Sequence, residues 1–314
     1  MTVVRNASAN SGVCQDSVRV TRRGNAAFLR FPNTPAAPGV RTANAATAPA
    51  HIDRGNRLFY NLFIEADRSA VRHETRGGYA VKIGLFADAH YSSQERTCGV
   101  RRNNLSLRKL RDACAYFVQQ GCDLIVSLGD LIDKNDSRAE DVRRLEEVRG
   151  VIAGSGVETV CVMGNHDAFT FRKDEYYRIL GGCEPADRTV DGVRLIFADT
   201  CFFTNGERYT PAGGDWKDCF LPEESAFLDR LSSSDAPVLV FLHHNVDPAV
   251  PESHRLANAD ALFRGIRDAG CVRAVFQGHY HPGLRSRYGD VRYVTLPAVC
   301  ENENAFFVID TNEL

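Results

Sequence analysis

The stretch Val81-Lys-Ile-Gly-Leu-Phe-Ala-Asp-Ala-His90 decides the fold. A run of seven residues, five of them apolar, has the length and composition of a strand buried on both faces, and it breaks directly into an aspartate and a histidine. The same pattern recurs four times downstream. Asp123-Leu-Ile-Val-Ser-Leu128 ends in Gly129-Asp130, and Thr159-Val-Cys-Val-Met163 ends in Gly164-Asn165-His166-Asp167. Val238-Leu-Val-Phe-Leu242 ends in His243-His244, and Val272-Arg-Ala-Val-Phe-Gln277 ends in Gly278-His279-Tyr280-His281.

Between these runs the apolar period lengthens to that of a helix. The spacing predicts helices over 105–118, 139–152, about 175–180, 223–231 (announced by Pro222) and 258–269, with strands over 81–87, 123–128, 158–163, 193–198, 238–242 and 272–276. Alternation of this kind is β-α-β repetition, so the fold class is α/β with parallel strands covered by helices. The tail changes character. Segments 284–288 and 291–295 flank Gly289-Asp290, a two-residue hairpin turn, and 305–309 reads as another strand. Either one mixed sheet or two packed sheets follow from that pattern.

Composition sets the limits. The 314 residues carry 38 Lys plus Arg and 40 Asp plus Glu, a net charge of −2, and a chain this long builds a core without crosslinks. No apolar run has the roughly 18 residues of a membrane span. Ten scattered cysteines with no C-x-x-C pair read as reduced core residues, which together with the lack of a secretory leader pattern places the protein in the cytoplasm. The charge is unevenly spread. Residues 1–55 hold seven Arg against Asp16 and Asp53, a balance of +5, leaving −7 for the rest. This Ala-, Asn-, Thr- and Pro-rich leader reads as a poorly ordered basic extension, 1–78, with a short amphipathic helix at 56–65 suggested by Leu58-Phe59 and Leu62-Phe63. The folded domain then covers 79–314.

Ligand sites in open α/β sheets lie beyond the carboxyl ends of the strands, so the five strand-end loops converge on one crevice, and six of the nine histidines fall in them. Singly, Asp-x-His or Gly-Asp is a common turn; Gly-Asn-His-Asp and Gly-His-x-His are more specific, and five in order are more specific still. Asp88, His90, Asp130, Asn165, His243, His279 and His281 are seven prospective ligands, too many for one four-coordinate zinc and suited to two ions sharing a carboxylate. Imidazoles with carboxylate and amide oxygens, and no thiolate, suit two transition metal ions drawn from Mn, Fe, Zn, Co or Ni. Glycine before Asp130, Asn165 and His279 is expected to permit sharp turns there.

These blocks resemble the calcineurin-like metallophosphoesterase superfamily, whose pattern D-x-H, G-D, G-N-H-D/E, H, G-H-x-H is complete here between about residues 80 and 310. The resemblance implies a four-layer α/β/β/α sandwich of two mixed sheets flanked by helices. It implies that Asp88, His90 and His281 hold the first metal, that Asn165, His243 and His279 hold the second, and that Asp130 bridges them. It further implies His166 as proton donor to the leaving oxygen and Asp167 as the group that orients it. Either His243 or His244 fits the fourth block; His243, the first residue past the strand, is preferred. The implied activity is hydrolysis of a phosphodiester by a metal-bridging hydroxide. The alternatives are a phosphomonoesterase or protein phosphatase and, in another class, an inactive scaffold, which the complete ligand set disfavours.

The acidic body argues against long nucleic acid, which needs phosphate-neutralising cations on one face. The expected partner is a small, nucleotide-like phosphoester, with no membrane involved; cyclic-nucleotide phosphodiesterases and manganese-dependent ADP-ribose hydrolases are the nearest in look. The long segment 202–220, carrying the only Trp, Trp216, reads as a lid or binding loop. Trp216, Tyr91, Arg96, Phe169, His244 and Tyr280 are candidate substrate contacts. His254 and His73 match no block and read as surface residues; Asp133 reads as a loop hydrogen-bonding group.

Overall fold

Alternation along each apolar run builds two layers of core at once. In the computed structural model, which describes residues 81–313, Ile83, Leu85 and Ala87 of the first run face a second sheet, while Phe86 faces the helices. The basic extension, the helix expected at 56–65 and His73 lie outside the described residues.

The chain passes through β1 (Lys82–Phe86), α1 (Ser106–Gln120), β2 (Leu124–Ser127), α2 (Arg138–Gly154), β3 (Glu158–Cys161), α3 (Asn165–Thr170) and α4 (Lys173–Leu180). It continues through β4 (Arg188–Val190), β5 (Val193–Ala198), α5 (Glu224–Ser232), β6 (Val238–Leu242), α6 (Ala259–Asp268), β7 (Val272–Gln277), β8 (Leu284–Tyr288), β9 (Val291–Thr295) and β10 (Phe306–Asp310). One sheet has the order β10-β1-β2-β3 and the other β4-β5-β6-β7-β9-β8. β1, β2 and β3 are mutually parallel, as are β5, β6, β7 and β9, while β10, β4 and β8 pair antiparallel at the margins. Two packed mixed sheets flanked by helices are thus the architecture.

Apolar side chains fill the seam between the sheets. Leu85, Val126 and Val160 of one sheet share it with Leu195, Phe241 and Phe276 of the other, all at 5% exposure or less. Phe197, Phe241 and Phe276 form a stacked ladder across β5, β6 and β7, with ring centroids 5.1 and 5.3 Å apart. Gly84 has its own reason to be glycine: a Cβ there would sit 2.6 Å from the Phe117 ring, so α1 lies closer to β1 than any side chain permits.

Two of these strands and α-helices escape the sequence reading. β4 is a three-residue edge strand, too short and polar to show a period. α3 is a six-residue helix that begins inside Gly-Asn-His-Asp, where Gly164 donates its N–H to the Asp167 carboxylate at 3.1 Å and closes the first turn. All nine cysteines among the described residues are free thiols, six of them buried. No helix among the described residues is long and apolar enough to cross a membrane.

Candidate two-metal centre

Because β1, β2 and β3 run parallel in one sheet and β6 and β7 run parallel in the other, their carboxyl ends deliver five loops to one place. The loops are tied by backbone bonds: Asp88 N–H donates to Gly129 O at 3.0 Å and His90 N–H to Asp130 O at 2.9 Å. His279 N–H donates across the two sheets to both Asp88 carboxylate oxygens at 3.1 Å. Asp88, His90, Asp130 and His279 all have positive φ, between 44° and 66°, a region non-glycine residues rarely occupy and where Asp and His are among the better tolerated. The ligand-bearing residues themselves make the turns. Of the three glycines expected to do so, Gly129 alone is left-handed (φ 102°). Gly164, at φ −96°, is required by space, because a Cβ would collide with Asp130.

His90 Nδ1–H donates to Asp133 Oδ1 at 2.7 Å, His243 Nδ1–H to Leu128 O at 2.7 Å and His281 Nδ1–H to Glu301 Oε1 at 2.5 Å. Each bond ties Nδ1 and turns Nε2 toward the crevice, where a cation can take it in place of a proton. These nitrogens converge. His90 Nε2 and His281 Nε2 are 3.1 Å apart, and Asp130 Oδ2 lies 3.5 Å from His90 Nε2 and 3.3 Å from His243 Nε2. Asn165 Oδ1 is 3.0 Å from His243 Nε2. Asp130 therefore occupies the position of a shared ligand between a group made by Asp88, His90 and His281 and a group made by Asn165, His243 and His279.

Electrostatics agree with cation binding. Burial pushes His90 down to about 3, keeping the ring neutral. Burial would raise the Asp130 carboxyl, but His243 and His166 outweigh it and hold it well below the usual range; His243 rises to about 9 against its own burial because of Asp130. Asp88 is raised by burial, opposed in part by His281 and His243. Asn165 Nδ2, His244 Nε2 and His279 Nε2 are buried with no hydrogen-bond partner among the described residues. Two buried carboxylates, converging ring nitrogens and unsatisfied polar atoms form a donor set that fits metal ions better than hydrogen bonds.

His244 lies beside this set. Its Nδ1 is 2.8 Å from Thr200 Oγ1, and its ring centroid is 4.5 Å from that of His279. His243 is the one of the pair that reaches Asp130.

Asp133 proves to be the hub that the sequence hides. The same Oδ1 that accepts from His90 also lies 2.7 Å from His166 Nδ1, while Oδ2 accepts from Asn103 Nδ2 at 2.8 Å and Thr97 Oγ1 at 3.1 Å. Arg101, nearly fully buried, is 3.4 Å from Oδ1. The His166 ring is oriented by Asp133. Asp167, expected in that role, instead accepts from Leu131 N, Ile132 N, Gly164 N and the Tyr176 hydroxyl at 3.0 to 3.3 Å and knits α3 to the loop after β2. His166 keeps a side chain 27% exposed, with its N–H on Asp130 Oδ1 at 2.8 Å, so it stands at the mouth of the site.

The other sequence-predicted contacts divide. Phe169 packs 6.1 Å from the His166 ring, and Trp216 lies 6.3 Å from His279. Tyr280 meets His254 at 5.1 Å, and His254, expected to be a plain surface residue, sits 5.6 Å from His279 and 5.2 Å from Trp216. The 202–220 segment crosses between these groups. A Cβ at Gly214 would overlap the Phe169 ring, and buried Tyr209 anchors the loop through its hydroxyl on Asp215 O at 2.6 Å. Tyr91 turns away: it is 5% exposed, donates to Glu147 Oε2 at 2.6 Å and accepts from Arg144, joining α2 to the loop. Arg96 is exposed and bonds Gly99 O at 3.2 Å. Sequence spacing gave no sign of Asp133 as hub, of His254 at the rim, or of Glu301, which follows β9 by several residues.

Two stacked mixed sheets with a D-x-H, G-D, G-N-H-D, H, G-H-x-H set at one end define a metallophosphoesterase-fold protein. The sequence profile of the calcineurin-like phosphoesterase family matches residues 81–283, and the chain belongs to that family, whose members depend on a two-metal centre. Among solved structures, a dimetal phosphatase from Danio rerio shares the fold with a TM-score of 0.64 at 21% identity, over 73% of this chain and 91% of that one. The protein TT1561 of Thermus thermophilus aligns with a TM-score of 0.48 at 12% identity, over 71% of this chain and 92% of that one. Phosphopantetheinyl hydrolase from Mycobacterium tuberculosis aligns at 0.43 and 13% identity, over 74% and 97%. Comparison with curated proteins finds no match.

Proposed function

We propose that this protein hydrolyses a small, nucleotide-like phosphodiester at a two-metal centre in the cytoplasm. The observation that carries the reading is the position of Asp130 Oδ2 between His90 and His243, with His166 held beside it by Asp133. Two ions bound by these residues would neutralise phosphoryl oxygens and make hydroxide available at neutral pH. The remaining work belongs to the chain. His166 faces the mouth with Nδ1–H tied to Asp133, and carboxylates on two sides favour its protonated form, so it supplies the proton that the departing alkoxide takes. Phe169, Trp216 and Tyr280, spread around the opening, support a substrate with a planar group to stack. The free thiols support a reducing compartment.

The test is the full chain reconstituted with manganese and, separately, with iron, zinc, cobalt or nickel. It is assayed against cyclic nucleotides, nucleoside diphosphate derivatives, phosphomonoesters and short DNA. Diesters of small nucleotides are expected to turn over fastest; monoesters outpacing every diester would overturn the diester assignment. Asp130→Asn and His166→Ala are each expected to lower kcat by about 10²-fold or more. Wild-type turnover in both variants would remove the two-metal mechanism altogether.

A further inference from the structure

The loop after β9 brings a thiol to the first-metal group. Cys300 is fully buried, and its sulfur lies within 4.8 Å of a ring nitrogen from each of His90 and His281. Its position is not incidental to a loose loop. Cys300 N–H donates to Asp88 O at 3.1 Å, Val299 N–H to Ala87 O at 3.0 Å, and Ala298 N–H to His281 O at 3.0 Å, so the segment is stitched to both ligand-bearing loops. Lys109, 1% exposed, spends its ammonium on Val299 O at 2.8 Å and Cys300 O at 3.4 Å, and Arg102 N–H adds a bond to Cys300 O at 2.9 Å. The next residue, Glu301, holds His281. The segment therefore provides one group that aims a ligand and one that resembles a ligand. Both lie beyond residue 283, where the family match ends.

We propose that Cys300 is a sulfur ligand of the first metal, alongside Asp88, His90, Asp130 and His281, and that it gives this position a preference for thiophilic ions that the second lacks. Thiolates select zinc, cobalt(II) and iron over manganese and magnesium, whereas Asn165, His243 and His279 offer only nitrogen and oxygen. On coordination the S–H bond is replaced by a sulfur–metal bond and the proton passes to bulk water, with no change of oxidation state. The two halves of the site are thereby unequal, and a mixed metal pair is the expected resting composition.

The inference rests on the two-metal reading, and its test separates the two. Metal-free full-length protein is titrated with cobalt(II) to two equivalents. A near-ultraviolet sulfur-to-cobalt charge-transfer band is expected with the first equivalent, lost in both Cys300→Ser and Cys300→Ala while the visible cobalt bands persist. Affinity for zinc at that position is expected to fall at least about tenfold in Cys300→Ala, with a smaller change for manganese. Should the variants fail to fold, X-ray absorption of wild-type protein carrying one zinc decides: sulfur scattering at ~2.3 Å supports the assignment, and a shell of nitrogen and oxygen alone overturns it. Two ions bound with no sulfur signature, or a band unchanged in Cys300→Ala, overturns the cysteine and leaves the two-metal reading intact. A protein that binds no metal overturns both.

Discussion

Asp133 and Asp167 are carboxylates of similar burial and opposite purpose, and substitution should tell them apart. Asp133 serves two imidazoles through one oxygen, so Asp133→Asn places an amide against two ring N–H groups and can satisfy them only by turning its own N–H away. Metal affinity and kcat are each expected to fall about 10- to 100-fold, with Tm changed little by comparison, as calorimetry and metal titration would check. Asp167 accepts four bonds and touches no ligand side chain; Asp167→Asn should cost about 1–3 kcal/mol of stability by leaving a backbone N–H unsatisfied. A chemical denaturation midpoint unchanged in that variant would refute the capping role. Cys183 carries a third residue-scale expectation. The Cys161 thiol donates to its sulfur and, with help from Arg149, overcomes half-burial to bring the Cys183 thiol down to about 7. Thiolate forms as pH rises, so iodoacetamide should label Cys183 first, with a rate climbing through about pH 7. Cys161→Ala should move that rise toward the ordinary thiol range near 8.5. Uniform labelling of the partly exposed thiols Cys98, Cys183 and Cys271, with no rise near pH 7, would contradict the pairing.

Elements matter here chiefly for where they stop. β1, β2 and β7 each end in residues that turn left-handed within a few positions, so the strain of the site is stored where buried strands hold the chain on the other side. That arrangement requires β1 to stay in register against α1, and Gly84 is the contact that sets the distance. Gly84→Ala is expected to cost about 1–3 kcal/mol, because the added methyl must displace the Phe117 ring of α1, which packs against Phe306 of β10; urea denaturation would measure it, and a neutral result would mean the helix moves freely. This scale also explains what the sequence disclosed. Among the described residues, period-two and 3.6-residue apolar patterns located nine of the ten strands and every α-helix but α3, because burial dictates them. α3 was hidden because its first turn is made of the polar block Gly-Asn-His-Asp, and β4 because an edge strand of three residues has no period. The seven candidate ligands could be singled out because each falls within four residues of the end of an apolar run. Asp133, His254, Glu301 and Cys300 were not, since what brings them in is loop packing, on which hydrophobic spacing is silent.

At the scale of the whole molecule, the site exists only when both sheets are joined. Asp88, His90, Asp130 and Asn165 come from the loops of one sheet, and His243, His279 and His281 from those of the other, over nearly 200 residues of chain. An unfolded chain cannot present them together, so an ion that binds this set binds the native state almost exclusively and stabilises it by mass action. At free metal about 100-fold above Kd the gain is ~2.7 kcal/mol per site, which for a domain of this size corresponds to a rise in Tm of roughly 5–10 °C. The electrostatics give the sign the same way: Asp88 and Asp130 are both buried, and a cation between them relieves their mutual repulsion and part of their desolvation cost. Calorimetry with excess manganese or zinc and then with chelator should show that difference. In Asp130→Asn the metal-induced rise should shrink to a small fraction of the wild-type value, because the shared ligand serves both positions, while the chelated variant should melt below the chelated wild type, since the amide lacks the charge that His243 and His166 stabilise. Equal Tm with and without metal in the wild type would mean that the seven residues do not act as one site.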